Sequence, residues 1–313
     1  MDLKDLMLGL ATTLGLISIS KLVLDLLNFV WVRFLRPPKD LVKTYGSWAV
    51  VTGATDGIGQ AMAFQLASKG LNIVIIGRNP KKLEITSRRL TMKFNAGVEV
   101  KSIVVDFDKF KTDEVVNAIR VGIEGLDVGI LINNAGQGNN YPKFLHEMDG
   151  DVAESVVNVN VSGLTWATMA VLPTMMMKKR GAIVNIGSGS SSIVPCYPLS
   201  SIYGATKAYV EHFSKSINYE YQRLGIDVQC QIPLYVATKM IKLKKSLFAA
   251  SPDDFSKASI RWIGYEPVCV PYWPHYAQSL MIKLFPAWVI KWYIFKVNLG
   301  WRKQGMEMDN KSS

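Results

Sequence analysis

Ser47-Trp-Ala-Val-Val-Thr52 runs straight into Gly53-Ala-Thr-Asp-Gly57-Ile-Gly59, and Gln60 to Lys69 follows. The first six residues are apolar and rich in β-branched side chains, the pattern of a short strand buried on both faces. Gln60 to Lys69 has helical character. Between them, G-x-x-x-G-x-G spacing lets a pyrophosphate approach the backbone N–H groups at a helix start. Glycine spacing alone is weak evidence, so the context has to carry it. Leu71-Asn-Ile-Val-Ile-Ile76 supplies that context as a second buried strand, which completes a βαβ unit. Stretches at 100–105, 128–132, 181–186 and 226–232 have the same strand character. The expected fold is α/β: a Rossmann-type doubly wound parallel sheet.

The strand ends carry the chemistry. After the second strand stands Gly77-Arg78-Asn79-Pro80-Lys81-Lys82, with no acid to bind a ribose 2′-hydroxyl. A guanidinium suits a 2′-phosphate, so NADP is favoured over NAD. Asp106 ends the third strand, where it would accept from an adenine amino group or cap the next helix. Asn133-Asn134-Ala135-Gly136 ends the fourth. A helix is expected over 151–177, with Asn160 within it. The fifth strand opens into Gly187-Ser188-Gly189-Ser190-Ser191-Ser192. Tyr203 and Lys207 then stand four residues apart, on one face of a helix. A cation there is expected to lower the phenol pKa, so that Tyr203 exchanges a proton with a substrate oxygen near neutral pH.

These three motifs, in this order, resemble the short-chain dehydrogenase/reductase family over about residues 45–240. The resemblance implies a catalytic set of Tyr203, Lys207, Asn160 and a serine. Counting from the strand end picks Ser188; counting back thirteen from the tyrosine picks Ser190, and Ser188 is favoured. It also implies that NADPH is held by Thr52, Gly53, Thr55, Asp56, Gly57, Ile58, Gly59, Arg78, Lys82, Asp106, Asn133, Ala135, Gly136, Tyr203 and Lys207. Beyond the sixth strand, Pro233, Val236 and Thr238 would border the nicotinamide. The usual Pro-Gly of that loop is here Pro233-Leu234.

The 313 residues carry a formal charge of +11 and are 49% hydrophobic, with a positive mean hydropathy of +0.15. Apolar surface is therefore expected to meet lipid. No zinc-finger spacing or arginine-rich run is present, which argues against nucleic acid. Cys196, Cys230 and Cys269 show no metal or CxxC spacing, and His146, His212 and His275 are scattered, so no metal site is expected. Leu6 to Val32 is apolar apart from Lys21 and Asp25, and Arg33, Arg36 and Lys39 follow it. This reads as an uncleaved membrane anchor, spanning or hairpin-like, with the following domain on the cytosolic side. Tyr276 to Lys303 is apolar, aromatic and basic with no acid, an interfacial composition.

The expected organisation is an anchor over 1–36, a linker over 37–46, the catalytic domain over 47–240 and a lid with a membrane-associated helical extension over 241–313. With the anchor, the Pro233-to-Met240 loop and the Pro-Tyr-Trp-Pro-His275 run, the chain resembles one branch of the family, the microsomal very-long-chain 3-oxoacyl-CoA reductases, related to 17β-hydroxysteroid dehydrogenases. That resemblance implies an endoplasmic reticulum enzyme of fatty-acid elongation, acting on long-chain acyl-CoA beside the other enzymes of the cycle, with homo-oligomerisation possible. A steroid dehydrogenase and a non-catalytic scaffold subunit are the competing readings. The cluster Lys239, Lys242, Lys244 and Lys245 would face the anionic CoA.

Overall fold

The computed structural model describes residues 2–241 and 243–312, so Lys242 lies outside the described residues. The chain divides into two units, Met1–Pro38 and Lys39–Ser313. The first is helix α1 (Leu3–Val30) continued by a π-helical turn, Trp31–Leu35, with no buried residue. Its polar side chains are satisfied locally: Thr12, Thr13 and Ser18 donate to the carbonyls of Leu8, Gly9 and Leu14, each at 2.8 Å. Such back-bonding lets an apolar helix tolerate a hydroxyl away from water. The 33 residues from Leu3 to Leu35 reach about 50 Å, more than the roughly 30 Å hydrocarbon core of a bilayer.

The second unit is built on seven parallel strands: β1 (Trp48–Thr52), β2 (Asn72–Gly77), β3 (Val100–Val104), β4 (Val128–Asn133), β5 (Gly181–Ile186), β6 (Ile226–Gln231) and β7 (Val268–Cys269). They lie in the order β3-β2-β1-β4-β5-β6-β7. Alternation along the strands sorts their side chains to two cores. Ala49, Val51, Ile73, Ile75, Ile130, Ile132, Ala182 and Val184 face one side; Val50, Val74, Ile76, Leu131 and Ile183 face the other. The first face packs on α3 (Gly57–Ala67), α4 (Pro80–Phe94) and the end of α10 (Pro252–Ile260). The second packs on α5 (Thr112–Ile123), α7 (Gly163–Lys178) and α9 (Ser201–Tyr221).

The stretch expected as one helix over 151–177 is α6 (Gly150–Val157), a π-helical turn (Asn158–Ser162) and α7. It is long and apolar enough to pass for a membrane span, but it is half buried in the domain, as a core helix is.

Two boundaries differ from the sequence expectation. Within 37–46, α2 (Leu41–Tyr45) buries Leu41 and Tyr45 in the core. The Tyr45 hydroxyl donates to Asp227 at 2.5 Å, and Lys39 Nζ stands 3.1 Å from the same carboxylate. Residues from Lys39 on therefore belong to the domain rather than to a linker. Residues 241–313 are not a separate appendage either, because β7 extends the sheet and Ile232 N–H donates to Cys269 O at 2.8 Å. Helices α11 (Trp273–Lys283) and α12 (Ala287–Ser312) complete this part.

Candidate active site

Strand order reverses between β1 and β4, and their carboxyl ends open the crevice where ligands of such sheets bind. The glycine turn lies on it. Gly53 and Gly57 adopt φ of +63° and +55°, which L side chains rarely do. A Cβ on Gly53 would meet Ala135 Cα at 2.9 Å; one on Gly59 would meet Asn134 Nδ2 at 2.3 Å. The turn is thus held flat against β4, which leaves backbone N–H groups as the surface a pyrophosphate meets. That cradle fits a dinucleotide. Asp56 caps α3 through the Gly57 N–H at 2.8 Å. Partial burial pushes its carboxyl up, but Lys239, 2.7 Å away, and the Gly57 N–H outweigh it and hold it below the usual range. Thr238 borders the turn, its methyl 3.2 Å from where a Gly57 Cβ would stand. Ile58, by contrast, packs on the small core of Val236, Ala250 and Phe255.

The other face of the turn meets the end of β2. Bare Gly77 lets the Thr55 methyl approach its backbone, and Arg78 and Lys82 stand exposed beside it. Two cations and a hydroxyl at this place suit a 2′-phosphate. The Asp106 carboxylate accepts from Asp108 N–H at 3.1 Å, so it is engaged in shaping its own turn.

The two asparagines of the β4 end divide their work. Asn133 is 3% exposed; its amide donates to Thr168 at 2.9 Å and to Asn185 at 2.8 Å. Its side chain braces the sheet instead of facing a cofactor. Val236 likewise turns its side chain into the core, at 3% exposure. Asn134, not singled out from sequence, reaches back to the carbonyls of Thr52 and Gly53 at 3.0 and 3.3 Å. The Thr52 hydroxyl accepts from Asn134 N–H and Ala135 N–H, both at 3.0 Å. These bonds lock β1, the glycine turn and β4 into one piece.

The π-helical turn aims Asn160 inward, where it is 1% exposed. Its oxygen accepts from Gln137 N–H at 2.7 Å, while its nitrogen donates to Gln137 O and to Thr206 Oγ1. Gln137 follows the N-N-A-G motif directly, so that motif's own continuation was the available signal for it. A Cβ on Gly136 would lie 3.5 Å from Asn160 Oδ1 and 3.6 Å from Lys207 Nζ. Pro233 closes the site's far edge, its carbonyl accepting from Gly189 N–H at 2.9 Å.

Lys207 is buried, its Nζ 2.9 Å from the Ile186 carbonyl and 5.9 Å from the Tyr203 ring centroid. Burial lowers its pKa to about 8, with the neighbouring Cys230 sulfur pulling the other way. Burial also raises the Tyr203 phenol above its ordinary value, with the Ser188 hydroxyl, hydrogen-bonded to it, pulling the other way. The expected lowering of the phenol by Lys207 is not met in this structure: burial is the larger influence on Tyr203, and its counterweight is the Ser188 hydroxyl. Of the two candidate serines, Ser188 meets Tyr203 and caps the one-turn helix α8 (Gly189–Ser192) by accepting from Ser190 N–H at 3.1 Å. The Ser190 hydroxyl is buried and has no hydrogen-bond partner among the described residues.

Helix α12 packs against the loops that follow β4, β5 and β6. Trp301 meets Tyr235 edge-on at 5.6 Å, Asn298 donates to Pro198 O at 2.7 Å, and Arg302 pairs with Glu147. Tyr197 lies 6.5 Å from Tyr203, centroid to centroid. In the basic cluster expected to face CoA, Lys239 is paired with Asp56 and Lys245 with Asp254. Lys244 stands exposed.

His275 fixes the Pro233–Tyr235 loop from beneath. Its Nδ1 accepts from Leu234 N–H at 3.2 Å, which makes Nε2 the donor to Tyr235 O at 3.1 Å. Burial pushes its pKa down from 6.5 to about 4, with its backbone bonds opposing. Between those values the unfolded chain binds a proton that the folded chain refuses. Stability is therefore expected to fall as pH drops from 6.5 towards 4, by about 3 kcal/mol. Denaturant midpoints across this window should show the loss, and His275→Gln should flatten it.

The sequence profile of the short chain dehydrogenases matches residues 47–246. A very-long-chain 3-oxoacyl-CoA reductase-like protein of Arabidopsis thaliana is 42% identical over 292 residues, covering 91% of each chain. The inactive hydroxysteroid dehydrogenase-like protein 1 of Homo sapiens is 38% identical, over 90% of this chain and 85% of its own. Among solved structures, a short-chain dehydrogenase from Sphingobium yanoikuyae in complex with NADPH superposes with a TM-score of 0.63 at 28% identity, covering 75% of this chain and 92% of its own. A doubly wound sheet, a glycine cradle at its switch point and a Tyr-x-x-x-Lys helix beside it, together with these matches, place the chain in the short-chain dehydrogenase family.

Proposed function

We propose that this chain reduces very-long-chain 3-oxoacyl-CoA to 3-hydroxyacyl-CoA, using NADPH, at the endoplasmic reticulum membrane with its catalytic unit in the cytosol. The observation that carries the reading is the convergence of Ser188, Tyr203, Lys207 and Asn160 beside the glycine cradle. The very-long-chain 3-oxoacyl-CoA reductase of Homo sapiens, 37% identical over 85% of this chain, supports the substrate, and the Leu3–Leu35 helix supports the membrane.

NADPH, when bound, supplies a hydride to the carbonyl carbon. The remaining work belongs to the chain. Ser188 holds the carbonyl oxygen, and Tyr203, in contact with Ser188, gives that same oxygen its proton. Lys207 supplies positive charge near the phenolate that results, and Asn160 fixes the Gly136–Gln137 backbone on which Lys207 borders. Arg78 and Lys82 select the phosphorylated cofactor. The lid formed by α12 keeps an apolar, aromatic wall beside the reacting carbon. In this reading the 3-hydroxy product passes to the other enzymes of the elongation cycle.

The test is nucleotide oxidation by the detergent-solubilised full chain, with a long-chain 3-oxoacyl-CoA and with a 17-ketosteroid, each with NADPH and with NADH. Turnover of the acyl-CoA with NADPH preferred is expected. Turnover of the steroid alone would replace the substrate. No oxidation with either would leave a scaffold, despite an intact catalytic set.

A further inference from the structure

We propose that the corner between α11 and α12 is seated in the interfacial layer of an anionic lipid bilayer, as a membrane contact separate from the N-terminal helix. The corner is where the domain exposes its largest apolar groups. Leu284 is 82% exposed, Trp288 73% and Trp292 60%, with Met281 and Phe285 beside them in sequence. Trp288 and Trp292 are one turn apart and share a face. Ile290 and Asn298, eight residues apart on a different face of α12, are buried. The helix is thus held by one side and presents rings on another. A soluble monomer rarely leaves such a patch to water.

Charge decides what covers it. Lys283, Lys291 and Lys296 are exposed around the rings, and no Asp or Glu occurs between Glu266 and Glu307. A second copy of the chain, docked by a two-fold axis on this face, would set the same lysines against one another. An anionic bilayer reverses that sign: the rings sit at headgroup depth while the lysines reach the lipid phosphates. The far end of the same helix carries Trp301 and Arg302, the groups that hold Tyr235 and Glu147 on the substrate side. From Trp288 to Trp301 is about 20 Å of continuous helix. The lipid contact and the substrate lid are two ends of one rod.

This inference rests on the membrane part of the proposed function, and its test separates the two. The full chain is reconstituted into phosphatidylcholine–phosphatidylserine vesicles containing bromolipid or not. Wild type is compared with Trp288→Phe/Trp292→Phe, so that the difference in fluorescence isolates these two rings. Flotation with the vesicles reports the N-terminal helix. The difference signal is expected to fall at least about twofold in bromolipid, and less when Lys283, Lys291 and Lys296 are replaced by Glu. A difference signal unquenched in protein that floats overturns the corner contact and leaves the anchor standing. Protein that does not float overturns both. Crosslinking of two chains through residue 288, with no quenching, makes the patch an oligomer interface and also overturns the proposal.

Discussion

Replacing Tyr203 by Phe is expected to lower kcat for carbonyl reduction by about 10²- to 10⁴-fold, while NADPH binds within about twofold of wild type. The substitution removes one oxygen and keeps the ring, so packing against Tyr197 survives. Lys207 keeps its bond to the Ile186 carbonyl, since that bond does not pass through the phenol. What disappears is the group that delivers a proton to the developing alkoxide, together with its hydrogen bond to Ser188. Because burial raises the phenol, Tyr203 is protonated at neutral pH, the form a reductase needs at the start of its cycle. Single-turnover NADPH oxidation and a separate nucleotide titration distinguish chemistry from binding. A rate within about tenfold of wild type would remove Tyr203 from the role of proton donor.

Gly59→Ala carries the second large effect. The new methyl would lie 2.3 Å from Asn134 Nδ2 and 2.4 Å from Gly53 O. Neither neighbour can yield cheaply: Asn134 is bonded to the carbonyls of Thr52 and Gly53, and Gly53 is already confined against Ala135. The substitution should cost at least about 2 kcal/mol of stability. It should also weaken NADPH binding more than about tenfold, because the N–H cradle opens as the turn lifts from β4. Gly150→Ala is the control. A methyl there meets nothing within 4 Å, in the first turn of α6, so both quantities should stay near wild type. Thermal denaturation and nucleotide titration of the two variants measure the contrast. Equal behaviour would mean that the turn is more pliable than its bonds indicate.

What was legible in the sequence was local. The glycine turn, Asn133–Gly136 and the Tyr203–Lys207 spacing each lie within a few residues, and each stands where the motif implied. The central strands β1, β2, β4 and β5 were legible because a parallel sheet buries both their faces and so writes continuous apolar runs. β7 was not, since two residues carry no period, and α2 hid for the same reason in five. The choice between Ser188 and Ser190 depends on a loop whose length alone gives two answers. The contact with Tyr203 belongs to Ser188, and no spacing states that. The roles of Asn133 and Asn134 were readable in principle, because neighbours at a strand end point to opposite sides. The phenol's shift was not, because it depends on packing from several elements at once.

The ties that α12 makes also set when the molecule becomes whole. Tyr141 donates to Asp309 across 168 residues, and Arg302 meets Glu147 across 155. A ribosome adding about 5–20 residues per second needs roughly 10–30 s to pass from one partner to the other. Over that interval the nascent chain already contains the residues of its glycine turn and first four strands. The cover over Tyr235 and the tie at Glu147 must wait for α12, so this part of the crevice is completed well after the glycine turn.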